Sequence, residues 1–524
     1  MSKNVMVRFK GTVAILFAAL YVFAGILGAE IRLPSIIGSN MVLQQDTPLT
    51  IWGWAQPGES VRIQIAGQSV NVKADNTGRW KGVLKPLAAE GKVLTMDIKG
   101  RMSPAVKLEN ILVGEVWVCS GQSNMEWTLD RTHSPSAEIQ RANLPQIRLF
   151  KVPRQTAVDP QEDVEAEWTL CVPETARSFS AVAYYFGREI HANMEVPVGL
   201  INSSWGGTRI EPWTPPQGFN SVPEVADILD AVGEAQNEYL INVGQALPDL
   251  EEWVKDASKA VAGKTIPPLP PALPIHPLKH HQQPTALYNA MVHPLVPFAI
   301  RGAIWYQGES NRNDGLIYGK KMEALIKGWR DVWGQGDFPF YWVQLAPYNY
   351  PYNREMTGGD IPDFFRLPLI WEAQREALRI PNTGMAVVTD IGNLYDIHPR
   401  NKAEVGRRLS LWARANIFGE EDLLYSGPLY ASMAVEGDRI RLRFDHTGKG
   451  LISLDGKSLT WFEISGEDRT FYKAQAEIDG DTVLVFSPMV KNPAAVRFAW
   501  HQLAEPNLAN SVGLPASPFR TDRW

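Results

Sequence analysis

Val116-Trp117-Val118-Cys119-Ser120-Gly121-Gln122-Ser123-Asn124-Met125 runs from an apolar segment, through a glycine, into a serine. The apolar part predicts a short buried strand, whose end can hold the Ser123 hydroxyl rigidly at the rim of a sheet. Gly121 lets the backbone turn sharply there. Met125 stands where Gly-x-Ser-x-Gly has its second glycine, so the strained elbow encoded by that motif is not indicated. Taken alone, Ser123-Asn124 fits an ordinary turn or helix cap just as well.

Outward from this stretch, apolar strands alternate with helical periodicity, the mark of an α/β sheet. Strands are predicted at Val116–Cys119, Val198–Asn202, Ala299–Tyr306, Phe340–Leu345 and Met385–Thr389. A helix follows His398-Pro399, with Val405, Leu409, Trp412 and Ala413 on one face and Pro399 near its start. On the N-terminal side, Val61-Arg62-Ile63-Gln64-Ile65 alternates and Gln56-Pro57-Gly58 marks a turn, so residues 30–108 read as a small β domain. Residues 109–422 form the α/β domain, with a Pro-rich surface insertion over about 247–284. Alternation returns in Ile440-Arg441-Leu442-Arg443-Phe444, making 423–524 a C-terminal β domain. The plan is β, α/β, β.

The 524 residues are too many for one core, which agrees with several domains. A net charge of −6 leaves no basic footprint and argues against nucleic acid as a partner. Cys119 and Cys171 are the only cysteines, which rules out a disulfide framework and a cysteine metal site. Of the 18 tryptophans, most are expected in the core, although flat aromatic faces also suit sugar rings. Lys3, Arg8 and Lys10 precede an uncharged run to Ala29, which predicts an export signal over 1–29. Leu27-Gly28-Ala29 is a poor cleavage site, so an uncleaved membrane anchor stays open. Either form places the bulk of the chain outside the cytoplasm. His280-His281 reads as a solvated pair in a polar loop.

Three more strand ends carry residues suited to acyl transfer. Ser203-Ser204-Trp205-Gly206-Gly207-Thr208 offers backbone N–H groups that can approach an oxyanion closely. Trp305-Tyr306-Gln307-Gly308-Glu309-Ser310-Asn311 offers the Gln307 amide to an oxyanion and the Glu309 carboxylate to a base. Thr389-Asp390 and Asp396-Ile397-His398-Pro399 place a histidine among carboxylates. Loops that follow parallel strands gather at one sheet edge, so these segments converge. That convergence favours serine hydrolysis, with neither metal nor organic cofactor required.

The motifs Gly121-Gln122-Ser123-Asn124-Met125, Trp205-Gly206-Gly207-Thr208, Trp305–Asn311 and Asp396-Ile397-His398-Pro399 resemble the sialate O-acetylesterases of the SGNH hydrolase superfamily. The likeness extends to Asn40-Met41-Val42-Leu43-Gln44 near one end and Asn507-Leu508-Ala509-Asn510 near the other. It implies a three-layer α/β/α catalytic domain flanked by β-sandwich-like domains, and an acetylated carbohydrate as substrate. Carried over, it makes Ser123 the nucleophile and His398 the general base. The Ser123 N–H, a glycine N–H at Gly206 or Gly207, and Gln307 would form the oxyanion hole. The superfamily often sets its acid three residues before the histidine, where this chain has Tyr395. The acid is therefore open between Asp396, Asp390 and Glu309, with Asp396 preferred, or His398 acts in a dyad.

Within the same reaction class the rival substrate is acetylated xylan. Outside it stand a glycosidase using two of Glu211, Glu309 and Asp396, and a sugar-binding protein without catalysis.

Overall fold

A computed structural model of the chain describes residues 30–351 and 362–524; the segment read as an export signal lies outside them. The fold is mixed α/β around a parallel sheet. Strands β1 (Val42–Gln44), β2 (Leu49–Trp54), β3 (Ser60–Ile65), β4 (Gln68–Lys73), β5 (Arg79–Leu84) and β6 (Leu94–Gly100) lead to β7 (Val106–Gly121). The sequence reads the latter half of β7 as a separate short strand. In the structure one strand of 16 residues pairs antiparallel with β6 through its first half and joins the parallel sheet through its second. The N-terminal strands consequently share a hydrophobic core with the α/β sheet.

The sheet continues with β8 (Leu144–Lys151), β9 (Trp168–Cys171), β10 (Val198–Ser204), β11 (Gly302–Tyr306), β12 (Phe340–Val343) and β13 (Thr383–Ala386). Their order is β13-β12-β11-β7-β10-β8-β9, parallel except for β8 with β9. From β7 the chain runs out to β8 and β9, returns to insert β10 beside β7, and then adds β11, β12 and β13 on the other side, which makes the end of β7 a topological switch point where ligand crevices form. Register sets Gly121 level with both Ser204 and Tyr306, so three strand ends meet at Ser123.

Side chains one pleat apart point to opposite faces of a sheet, and the aromatics here show both faces covered. Trp117 packs edge-on against Phe186 of helix Ala181–Met194, with ring centroids 4.9 Å apart. Trp305, out of phase with it, packs against Trp329 of helix Ile317–Trp333 at 6.2 Å. Helix Lys402–Asn416 lies on the first helix, where a methyl at Gly406 would come within 2.6 Å of Tyr185 Cβ. Its cap is Asn401, whose side chain accepts from Glu404 N, and Pro399 stays in the preceding loop rather than starting the helix. The C-terminal strands form two facing four-stranded sheets around a core of their own, including Ile440, Ile464, Val485 and Phe498.

The Pro-rich insertion is largely exposed, but it is not all loop. Its first part, from Leu247, is the end of a 36-residue helix, Asp227–Ala262, which contains Pro248 and buries none of its residues. Among the described residues no helix is long and apolar enough to cross a membrane.

Candidate active site

Gly121 has φ 138°, and a Cβ there would stand 2.2 Å from the Tyr306 carbonyl oxygen, so only glycine lets β7 end so close to β11. Gln122 N donates to Tyr306 O at 3.0 Å and Trp205 N to Gly121 O at 3.1 Å, which fixes the turn from both sides. Ser123 then opens a single helical turn, Ser123–Glu126, half-buried between the buried Gln122 and Asn124. Gly206 lies against it: an added Cβ there would come within 3.2 Å of Ser123 Cβ. The Gly206 N–H is already bonded to Glu126 Oε2 at 2.9 Å, and Arg154 holds that carboxylate from the other side. Gly207, exposed at φ 76°, and Ser123 make no hydrogen bond through their N–H groups among the described residues.

Asn124 ties the serine turn to two other loops. Its Nδ2 donates to Glu309 Oε1 at 2.6 Å and to the Ile397 carbonyl at 3.0 Å, while Lys402 Nζ donates to its Oδ1. Ile397 precedes His398, so this buried amide brings the histidine loop to the serine turn. The His398 ring lies on Trp127, four residues after Ser123, with centroids 4.8 Å apart and planes within 17° of parallel. Ser123 Oγ and His398 do not hydrogen-bond in this structure. Burial lowers the His398 pKa first and the Lys402 charge second, while Asp396 works in the opposite direction. The imidazole is thereby kept neutral, as a general base requires.

The candidate acids fare differently. Asp396 Oδ1 accepts the His398 backbone N–H at 3.0 Å and stays 3.7 Å from Nδ1, outside hydrogen-bond range. Asp390 is engaged by Arg408 through two bonds of 2.6 and 2.7 Å and makes none to His398. Glu309 is half-buried with its carboxylate turned inward, and desolvation raises its pKa; one oxygen meets Asn124 and the other, shielded from solvent, has no partner. It braces Asn124 rather than His398.

Gln307 also departs from expectation. Its Nε2 donates to Thr208 O at 3.1 Å and to Asn311 Oδ1 at 2.7 Å, and Tyr318 OH donates to its Oε1 at 2.8 Å. The side chain is fully buried with both N–H bonds engaged, so it supports the Trp205–Thr208 loop and has none left for an oxyanion. Glu211, offered for a carboxylate pair, is bound by Arg209 and Lys321, whose charges outweigh its burial and hold its pKa at about 2. His281 is not simply solvated, since it stacks on Trp205 at 5.1 Å with ring planes 13° apart.

Sequence reasoning gave Lys402, Asn124 and Trp127 no role. Lys402 is fully buried, which pushes its pKa down to about 7. A signal was available: it occupies the first turn of its helix, where the dipole disfavours a cation. Among the described residues, no cluster of three or more His, Cys, Asp or Glu could hold a metal ion.

The model of a family described as carbohydrate esterase, sialic acid-specific acetylesterase, matches residues 113–239 and 257–405. A sialate O-acetylesterase of Mus musculus is 30% identical over 442 residues, which cover 77% of this chain and 76% of that protein. A Homo sapiens protein of the same description is 30% identical over 440 residues, covering 77% and 74%. The crystal structure of a carbohydrate acetylesterase from Xanthomonas citri superposes with a TM-score of 0.79 at 36% identity, over 94% of this chain and 100% of that one.

Proposed function

The chain belongs to the sialic acid-specific acetylesterases, a carbohydrate esterase family, and we propose that it removes O-acetyl groups from sialic acids through an acetyl-Ser123 intermediate. It is a carboxylic ester hydrolase, and its substrate class is an acetylated carbohydrate. The observation that carries the mechanism is the meeting of Ser123, the Gly206-Gly207 loop and the His398 loop at the end of β7.

In this reading His398 takes the Ser123 proton as Oγ attacks the acetyl carbonyl carbon. The Ser123 and Gly207 N–H groups, free of other partners, receive the negative charge that develops on the carbonyl oxygen. Collapse of the tetrahedral intermediate breaks the bond to the sugar oxygen, which takes the proton from His398. Water, deprotonated by the same imidazole, then attacks the acetyl-enzyme; the bond to Ser123 Oγ breaks, Oγ takes the proton back from His398, and acetate leaves. Trp127 holds the ring in place, and burial together with the Lys402 charge favours its neutral form.

The glycosidase alternative loses support because Glu211 is held by two cations and Glu309 is bonded to Asn124. We also read the basic and apolar residues 1–29 as the signal that exports the enzyme, cleaved or kept as an anchor. N-terminal sequencing of the mature protein tests this, and a cytoplasmic chain that begins at Met1 would contradict it.

The substrate is tested by acetate release from O-acetylated N-acetylneuraminic acid and from acetylated xylan, compared as kcat/KM. The sialic acid derivative is expected to be the better substrate. A clear preference for xylan would overturn that assignment and leave the acetylesterase chemistry standing.

A further inference from the structure

A groove of about 820 Å³ lies away from Ser123, between the segment at Phe364-Phe365 and the C-terminal β region. Its aromatic walls are ordered. Phe364 stacks with His501 at 5.2 Å and His501 with Trp461 at 6.0 Å, the planes within 25° of parallel in both pairs. Phe364 and Trp461 each keep 39% of their surface exposed, so this is no closed core.

The backbone holds these rings in a costly geometry. Trp461 has φ 62° and Ala499 φ 53°, a region that side chains rarely adopt. The two strained residues are bonded to each other, Ala499 N to Trp461 O at 2.8 Å, and Gln502 N donates to Phe364 O at 3.0 Å. Residues held in this region persist only where their surroundings enforce it, and they gather at ligand sites.

Polar groups line the rest. Glu463 is half-buried and stands between Lys473 and Arg497 in strand register. Arg497 directs its guanidinium to Asp522 instead, so the Glu463 carboxylate has no bonded partner among the described residues. Burial raises its pKa, against the pull of Arg497. The groove is also joined to the catalytic loop: Arg312, three residues after Glu309, donates to Asp363 at 3.0 Å, next to Phe364.

Flat apolar rings beside an uncommitted carboxylate suit a ligand with apolar C–H faces and a rim of hydroxyls. We propose that this groove binds an oligosaccharide chain, apart from the site where the acetyl group is cleaved. The choice of sugar as ligand rests on the reading of the substrate as an acetylated glycan; the groove's occupancy is tested without catalysis.

The experiment is titration calorimetry of the whole protein with two unacetylated probes, sialyllactose and xylohexaose. It compares wild type with Phe364→Ala, Trp461→Gly and Glu463→Gln. Trp461→Gly removes the ring at a φ that glycine adopts freely, so that variant is expected to fold; Glu463→Gln preserves shape. The expected result is binding of at least one probe, weakened about tenfold or more in the ring variants. Hydrolysis of p-nitrophenyl acetate should stay within about twofold of wild type, since no substituted group touches Ser123 or His398. No binding by wild type at about 10 mM probe, or unchanged affinity in the folded variants, overturns the proposal. Failure of the esterase reading would show separately, as wild-type protein that releases no acetate.

Discussion

Trp127 lies flat against His398, ring centroids 4.8 Å apart, and directly follows the helical turn that begins at Ser123. Arg131 packs over the same indole at 4.3 Å, and the Trp127 Nε1–H is bonded to Arg131 O at 3.0 Å, so the platform beneath the histidine is fixed. A histidine that makes no close hydrogen bond to a carboxylate depends on such a surface for its orientation.

Trp127→Ala is therefore expected to lower kcat by about tenfold while KM changes little, because small misplacements of a catalytic group are costly. Trp127→Phe should restore most of the loss. Steady-state kinetics on p-nitrophenyl acetate measure both, and equal losses in the two variants would contradict a stacking role.

The acid side of the pH profile should respond to Lys402. Burial and the Lys402 charge both lower the His398 pKa, so the base stays unprotonated below the ordinary histidine range of about 6.5. Lys402→Met removes one of those effects, raises the imidazole pKa, and should move the acid limb of kcat/KM to higher pH. Circular dichroism checks that the variant is folded. A limb that moves to lower pH would reverse the assigned electrostatics.

Asp396 gives the opposite sign and a modest rate effect. Its carboxylate favours the protonated imidazole, so Asp396→Asn should shift the acid limb to lower pH. With Oδ1 committed to the His398 backbone N–H, the expected loss in kcat is about 10–10², well short of the ~10⁴ seen when a true triad acid is replaced. A loss near 10⁴ would show that Asp396 engages Nδ1 during turnover.

Gln307→Ala separates a scaffold role from an oxyanion role. Loss of the amide leaves Thr208 O, Asn311 Oδ1 and the Tyr318 hydroxyl without that partner in the interior. Stability should fall by about 1–3 kcal/mol in denaturant unfolding. Turnover at low temperature, where the variant remains folded, should fall less than the roughly 10²–10³ expected of an oxyanion donor.

The parallel strands were legible because burial on both faces makes them continuous apolar runs, as in Val198–Asn202 and Phe340–Leu345. Strands β8 and β9 were not, since Leu144-Pro145-Gln146-Ile147-Arg148 mixes polar residues and a proline toward the sheet edge. The helix Asp227–Ala262 escaped because it buries nothing and contains Pro248, so the core leaves no strong imprint on its sequence. At the site, Ser123, Gly206-Gly207 and His398 could be located because each follows a strand end. The true partners of Gln307, Asp390 and Glu309 depend on which groups lie across the fold. Spacing along the chain cannot supply that, and Arg408, Thr208 and Asn124 had first claim on them.

The most direct measurement is the rate of acetate release from O-acetylated N-acetylneuraminic acid by wild type and by Ser123→Ala, with folding verified in both. Removal of the nucleophile should reduce kcat by about 10⁴ or more, leaving only what binding and the oxyanion donors provide. A Ser123→Ala protein that retains activity within about tenfold of wild type would contradict the assignment of Ser123 as nucleophile.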